Sequence, residues 1–162
     1  MIEVKYGDLN FVQKNLLDHA YDAMKNSYSP YSKFSVGAAL QIRNSKEIFT
    51  GVNVENASYG LVMCAERVAV GNAISNGYID FSKVAIIAKG EEKDTTDTTG
   101  PCGACRQVLY EFYQVANNPL EIIMSTTNKD KIKIATIDEI LNLAFGPKDL
   151  GVDVEKLKSN YK

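Results

Sequence analysis

Apolar and polar positions first fall into a clear period over residues 11–27, where Val12, Leu16, Ala20 and Met24 recur every fourth position. That stripe predicts an amphipathic helix, and Asn10 with Gln13 three residues on supplies a reciprocal cap to start it. Pro30, in SYSPYSKF, interrupts the pattern. The runs SVGAALQI and EIFTGVNV, parted by the turn-like RNSK, then predict a hairpin. LVMCAERVAVGNAI is apolar on nearly every side and is stopped by Asn76 and Gly77, which predicts a helix buried in the middle of the fold. KVAIIAK reads as an inner strand, and the polar GEEKDTTDTTGP as an exposed loop. From Ala104 the pattern is helical again. LEIIMST and KIKIAT supply two further strands, and Thr136 with Glu139 opens a short helix predicted to run through Ala144. For the tail VDVEKLKSNYK, a short amphipathic helix and a frayed end fit equally well.

Hairpin, helix, strand, helix, strand, strand and helix add up to an α/β fold of three layers, α/β/α, with a mixed central sheet. At 162 residues, with no repeat or dividing linker, residues 1–162 are expected to form one domain.

Composition narrows the partners. Eighteen basic against twenty acidic residues leave a net charge of -2, too little positive charge to neutralise a run of phosphates, so no nucleic acid is expected as a ligand. No apolar run approaches a membrane span, and MIEVKYGDLN lacks the basic start and apolar middle of a signal peptide. The expected location is cytoplasmic, away from membranes. Thiols are kept reduced there, so three cysteines argue against a disulfide framework and for metal binding or catalysis.

Cys102 and Cys105 form a C-x-x-C where a loop containing proline and glycine enters a helix. Free N–H groups and the helix dipole favour thiolates at such a place, which suits a thiol redox pair as well as a metal. Cys64 also sits at the start of a predicted helix, and dithiol chemistry has no use for a third thiol on a separate helix. Three thiolates from two helix starts make a soft metal site, for which zinc is the common choice. A structural zinc is normally closed by four protein ligands. The chain has no fourth cysteine, and its one histidine, His19, lies in the first helix and reads as a partly buried helix residue. A carboxylate could still close the site, but three ligands with an open position describe a catalytic zinc. The nearest carboxylate, Glu66, lies in a strongly apolar segment, where a buried acid needs a partner or a function.

C-A-E at 64–66, followed by P-C-G-A-C-R-Q at 101–107, resembles the zinc signature of the cytidine deaminases. The blocks YSPYSKFSVGAAL, TGVNVENASYGLVMCAERVAV, PCGACRQVLYEF and AFGPKDL follow that family in order and spacing, from about the first helix to about Leu150.

The resemblance implies hydrolytic deamination of a nucleoside, cytidine or 2′-deoxycytidine, with one zinc per subunit held by Cys64, Cys102 and Cys105 and with Glu66 as proton shuttle. It further implies that Asn53 and Glu55 bind the sugar hydroxyls and that Phe34 packs beside the pyrimidine. Arg67 and Gln107 would donate hydrogen bonds to the cysteine sulfurs, offsetting the excess negative charge of three thiolates on one dication. Short members of the family are commonly homotetramers, and the FGP segment with Phe145 lies near the active site, where a neighbouring subunit can supply it. Ser35 stands where relatives often have proline, Ala144 where they have serine, and Val52 where many have a cysteine that is not a ligand. The first two leave substrate preference open. Another aminopyrimidine nucleoside, such as a nucleoside antibiotic, is the alternative substrate, and a redox protein using Cys102 and Cys105 the alternative of another class.

Overall fold

The structure, a computed structural model, describes residues 1–161. Six strands, β1 (Ile2–Val4), β2 (Phe34–Ile42), β3 (Ile48–Val52), β4 (Phe81–Gly90), β5 (Glu121–Ser125) and β6 (Ile132–Thr136), form one sheet in the order β1-β6-β5-β4-β2-β3. β4 and β5 run parallel, and the other named pairs are antiparallel. The parallel step requires a crossover. Helix α3 (Gly103–Ala116) provides it; the other α-helices are α1 (Phe11–Met24), α2 (Ala65–Ser75), α4 (Ile137–Ile140) and α5 (Val154–Lys158).

The sheet carries a separate apolar cluster on each face. Ala39, Ala85, Ile87 and Ile123 pack with Leu16, Leu17 and Ala20 of α1. Ala38, Leu40, Val84, Ile86 and Ile122 pack with Ala65, Ala69, Val70 and Ala73 of α2 and Leu109 of α3. Alternate residues of β4 feed both clusters, which is why its sequence reads as an uninterrupted apolar run. The three-layer α/β/α arrangement with a mixed sheet is therefore present.

Two glycines set how closely the helices approach. A Cβ on Gly37 of β2 would lie 2.0 Å from the Ala20 carbonyl oxygen, so α1 rests directly on the strand backbone. A Cβ on Gly51 of β3 would lie 2.3 Å from both Ala65 O and Ala69 N, and the same contact seats the first turn of α2.

Four elements differ from the sequence expectation. Helix α1 begins with the expected cap, Asn10 and Gln13 exchanging two 3.0 Å hydrogen bonds, but it ends at Met24 rather than Ser27. Its buried arc is Gln13, Leu16, Leu17, Ala20 and Met24, while Val12 turns outward; Gln13 is accommodated by donating to Glu121 at 3.0 Å. α2 is not enclosed on all sides in this chain. One face meets the sheet, while Gly71, Asn72 and Ile74 are exposed, as are Leu61 and Met63 ahead of it. α4 has its expected cap, Thr136 N–H donating to Glu139 at 2.9 Å, but stops at Ile140, short of Ala144. β1, three residues long, is too short to show a period and was not expected. In the tail α5 is helical, capped by Asp153 and tied down by a 2.6 Å ion pair between Lys158 and Asp80; Lys162 lies outside the described residues.

Candidate metal centre

Cys64 and Cys102 are the N-cap residues of α2 and α3, and Cys105 lies in the first turn of α3. The two helices bring their N-termini together, so unsatisfied N–H groups and the positive ends of both dipoles converge on the sulfurs. The sulfur of Cys102 is 3.8 Å from that of Cys64 and 3.5 Å from that of Cys105. All three lie within 4.8 Å of one another, and none is in a disulfide.

Those separations suit a tetrahedral metal: two bonds of about 2.3 Å at the tetrahedral angle place sulfurs about 3.8 Å apart. Among the described residues no fourth cysteine, histidine, aspartate or glutamate joins the group. His19 is on α1, across the sheet, in a cavity lined by Asp22, Ala23, Asn26, Ile48 and Thr50.

Burial pushes the Cys105 thiol far up, and the neighbouring Glu66 carboxylate adds to that. Burial also raises Cys64, against hydrogen bonds from Cys105 and Arg67. At Cys102 burial again favours the thiol, but hydrogen bonds from the Cys105 backbone and from the Cys105 and Cys64 sulfhydryls outweigh it and hold the group below its ordinary value. Without a cation the cluster cannot carry three thiolates, and a dication is the natural partner for the charged form.

Arg67 lies where that charge would appear. Its Nη2 donates to Val62 O at 2.9 Å and lies 3.8 Å from Cys64 Sγ, while its Nε is buried without a hydrogen-bond partner among the described residues. A buried donor left unpaired is unfavourable unless an anionic site draws on it. The Nε2 of Gln107 donates 2.7 Å to the Phe145 carbonyl. Gln107 projects from the exposed side of α3, away from the buried Cys105.

Glu66 is 5% exposed in the first turn of α2. Burial raises its carboxyl above the ordinary range, opposed by a backbone N–H, the Cys105 sulfhydryl and the Arg67 charge. A buried acid whose proton affinity is raised by desolvation, beside a cluster of thiols, is the kind of group that can take up and release a proton.

The other expected site residues reach this region through the backbone. Val54 and Met63 exchange hydrogen bonds of 2.9 and 3.0 Å, which sets Asn53 and Glu55 against the residue preceding Cys64. Asn53 is 8% exposed. Its Oδ1 accepts from Val36 N–H at 2.8 Å and from the Ser27 hydroxyl at 2.5 Å, and its Nδ2 donates to Phe34 O at 2.8 Å, which leaves one N–H. Glu55 Oε2 accepts from the backbone N–H groups of Tyr31 and Ser32 at 2.9 and 3.1 Å. The Ser32 hydroxyl and these N–H groups hold the Glu55 carboxyl below its ordinary value. Glu55 borders a cavity of about 210 Å³ with Tyr31, Ser32, Tyr59 and Val62, in which the two tyrosine rings meet edge-on at 6.2 Å. Phe34 is half-buried at the start of β2.

Sequence reasoning missed Ser27, Tyr31 and Tyr59. Nothing local marks Ser27, one polar residue beyond a helix end. The two tyrosines lie inside the motif blocks YSPYSKFSVGAAL and TGVNVENASYGLVMCAERVAV, in loop segments of the kind that carry binding residues.

Residues 12–117 match the model of the cytidine and deoxycytidylate deaminase zinc-binding region, a span that holds all three cysteines and Glu66. A cytidine deaminase of Sporosarcina psychrophila is 37% identical over 143 residues, covering 88% of this chain and 98% of the relative. One from Halalkalibacterium halodurans is 38% identical over 135 residues, covering 83% and 95%. A more distant relative, the blasticidin-S deaminase of Bacillus cereus, is 29% identical over 117 residues, covering 70% and 79%. The crystal structure of the cytidine deaminase of Burkholderia pseudomallei superimposes with a TM-score of 0.72 at 37% identity, covering 85% of this chain and 100% of that one. Because the matched span includes the helix starts that build the thiol cluster, motif, identity over most of the chain and fold coincide, and the chain belongs to the cytidine and deoxycytidylate deaminase family.

Proposed function

We propose that this protein deaminates cytidine and 2′-deoxycytidine hydrolytically, giving uridine and 2′-deoxyuridine with release of ammonia, as one domain with one zinc per subunit. The observation that carries the reading is the three-thiol cluster at two helix N-termini, with no fourth protein ligand among the described residues and with the buried Glu66 beside it. Cys64, Cys102 and Cys105 would hold the metal. Zinc bound there would supply Lewis acidity that brings the pKa of water to ~7 and so provides a nucleophile at neutral pH.

Glu66 moves the protons. Its carboxylate takes one from the attacking water and delivers it to the ring nitrogen beside the reacting carbon as the water oxygen bonds to that carbon; it then takes the second from that new hydroxyl and passes it to the amine, which leaves as the C–N bond breaks, so that water and cytidine balance uridine and ammonia. Arg67 offsets the charge of the sulfurs. Phe34 is assigned to the wall beside the base.

The polarity of Asn53 and Glu55 supports a free nucleoside. The Asn53 oxygen is fully engaged, which leaves an N–H donor, while Glu55 offers a carboxylate acceptor. A hydroxyl, which donates and accepts, satisfies both; a phosphate would meet the Glu55 charge unfavourably. The net charge of -2 likewise disfavours polynucleotides. Among the described residues no helix is long and apolar enough to cross a membrane, and a cytoplasmic role in pyrimidine salvage is the proposed setting.

Assembly is proposed as a homotetramer. Tyr28, Tyr31, Tyr59, Leu61 and Met63 are all exposed around the site in the single chain, more apolar surface than an isolated subunit would leave beside its own catalytic centre. A second reading, a different aminopyrimidine nucleoside, is favoured by Ser35 and Ala144 and by the similarity to a blasticidin-S deaminase. Ammonia release from cytidine by zinc-loaded protein, with a chelated control, tests the proposal. Metal-dependent release supports it. A folded, zinc-loaded sample that releases none refutes it, and blasticidin S is then the next substrate to assay.

A further inference from the structure

The hydrogen bonds around Asn53 fix which way its amide faces. Val36 N–H can only donate, so the atom 2.8 Å from it is the amide oxygen, and Phe34 O can only accept, so the atom 2.8 Å from that carbonyl is the amide nitrogen. Both backbone partners belong to β2, and two contacts to one strand define an axis about which the amide can still rock. The third contact comes from another part of the chain. Ser27, three residues beyond the end of α1, places its hydroxyl oxygen 2.5 Å from Asn53 Oδ1.

Oδ1 carries no hydrogen, so the single hydroxyl proton of Ser27 is committed to it. The hydroxyl oxygens of Ser27 and Ser29 are 3.2 Å apart, and with the Ser27 proton already engaged, Ser29 is the donor between them. That in turn makes Ser35 the donor across its 3.3 Å contact with Ser29. Three hydroxyls thus point one way, toward Asn53, and each bond polarises the next. The Ser27 proton on Oδ1 draws charge from the amide nitrogen, which makes its second N–H, the one not donated to Phe34, a stronger donor.

The serines lie on the face of the sheet away from the thiol cluster. Ser35, Gly37 and Ala39 alternate onto the α1 face, where Gly37 meets Ala20 and Ala39 joins the α1 cluster, whereas Val36 and Ala38 pack on the side of α2. There Ser27, Ser29 and Ser35 line an open cavity of about 480 Å³ together with Lys33, Lys89 and Glu91. Any influence of these hydroxyls on the metal side of the sheet therefore passes through Asn53.

We propose that Ser27 is a positioning residue for recognition of the nucleoside sugar: by donating to Asn53 Oδ1 from outside β2, it fixes the plane of the amide and leaves the polarised second N–H for a sugar hydroxyl. This rests on the deaminase reading and on Asn53 as a sugar contact. Ser27 itself acts only through Asn53.

The test uses the full-length, zinc-loaded protein with two variants. Ser27→Ala removes the donor, while Ser27→Thr keeps it and directs its added methyl group at the open cavity. KM and kcat are measured for cytidine and for 2′,3′-dideoxycytidine, which lacks the hydroxyls, together with zinc content. In Ser27→Ala the KM for cytidine should rise about threefold to tenfold, the size expected when one neutral hydrogen bond is weakened. KM for the dideoxynucleoside and both kcat values should stay within about twofold, with zinc still at one per chain. Ser27→Thr should restore the cytidine KM to within about twofold of the unmodified protein, and in an Asn53→Ala background Ser27→Ala should add less than about twofold. Equal rises for the two substrates overturn the proposal in favour of a structural role, as does loss of zinc. An unchanged cytidine KM, a Ser27→Thr variant that behaves like Ser27→Ala, or full additivity with Asn53→Ala also overturns it. If the unmodified protein releases no ammonia from cytidine, the deaminase reading has failed and the proposal falls with it; an active unmodified protein indifferent to Ser27→Ala refutes the proposal alone.

Discussion

Val54 and Met63 exchange two backbone hydrogen bonds, 2.9 and 3.0 Å long, and this bridge ties the loop that carries Asn53 and Glu55 to the residue before Cys64. Tyr28 joins the same unit, its N–H donating to Asn53 O and its carbonyl accepting from Glu55 N–H. The proposed sugar-binding residues and the first metal ligand are therefore positioned by one piece of backbone. Motion of α2 would disturb both together.

Removing a ligand tests the cluster. Cys102 is exposed and fills no core space, so Cys102→Ser should fold. Its zinc content should fall below about a tenth per chain, with a lower melting temperature for the loaded protein, because metal binding free energy is also folding free energy. A variant that retained a full equivalent of zinc by metal analysis would show that Cys102 is not a ligand.

Glu66→Gln preserves shape and removes the exchangeable proton. Zinc should remain near one per chain while kcat falls by about 10²–10⁴, the range that proton transfer by a positioned side chain contributes. Near-normal turnover in a zinc-loaded Gln variant would remove Glu66 from the mechanism.

Much of this was legible from local signals. The Asn10 and Thr136 caps, the β2–β3 hairpin and the uninterrupted β4 run each follow from short-range chemistry, and the three cysteines could be grouped because each lies at a helix start. What depends on distant partners was not legible. The family resemblance implies a sulfur as the partner of Gln107, and nothing in the sequence shows that its amide donates to the Phe145 carbonyl, 38 residues away. Val12 fits the stripe by spacing, but the sheet is met by an arc centred on Leu16 and Leu17. The outward face of α2 reads as apolar because sequence cannot say which side another surface covers.

Asn53 combines a structural and a binding role, and the two can be separated. Asn53→Ala deletes the partners of Val36 N–H, Phe34 O and the Ser27 hydroxyl, so stability measured by urea unfolding should fall by about 2–4 kcal/mol. If its remaining N–H also contacts the sugar, KM should rise more for cytidine than for 2′,3′-dideoxycytidine, which lacks the hydroxyls. Equal effects on the two substrates would make Asn53 a structural residue alone.

Gly51 links packing to chemistry. It lies under the first turn of α2, where a methyl group would meet Ala65 O and Ala69 N at 2.3 Å, backbone atoms that cannot rotate away. Gly51→Ala must therefore lift the helix that carries Cys64 at its cap and Glu66 in its first turn. The expected loss of stability is about 1–3 kcal/mol, as for other overpacked contacts. Displacement of Cys64 from Cys102 should also make zinc easier to remove by a chelator. Gly71 provides the control within the same helix: a Cβ there meets nothing within 4 Å, and alanine is the better helix former by about 1 kcal/mol. Gly71→Ala should leave chelator resistance intact and raise the unfolding midpoint slightly. If Gly51→Ala lowered stability yet released zinc no faster than the unmodified protein, close seating of α2 on β3 would matter for folding but not for holding the metal site together.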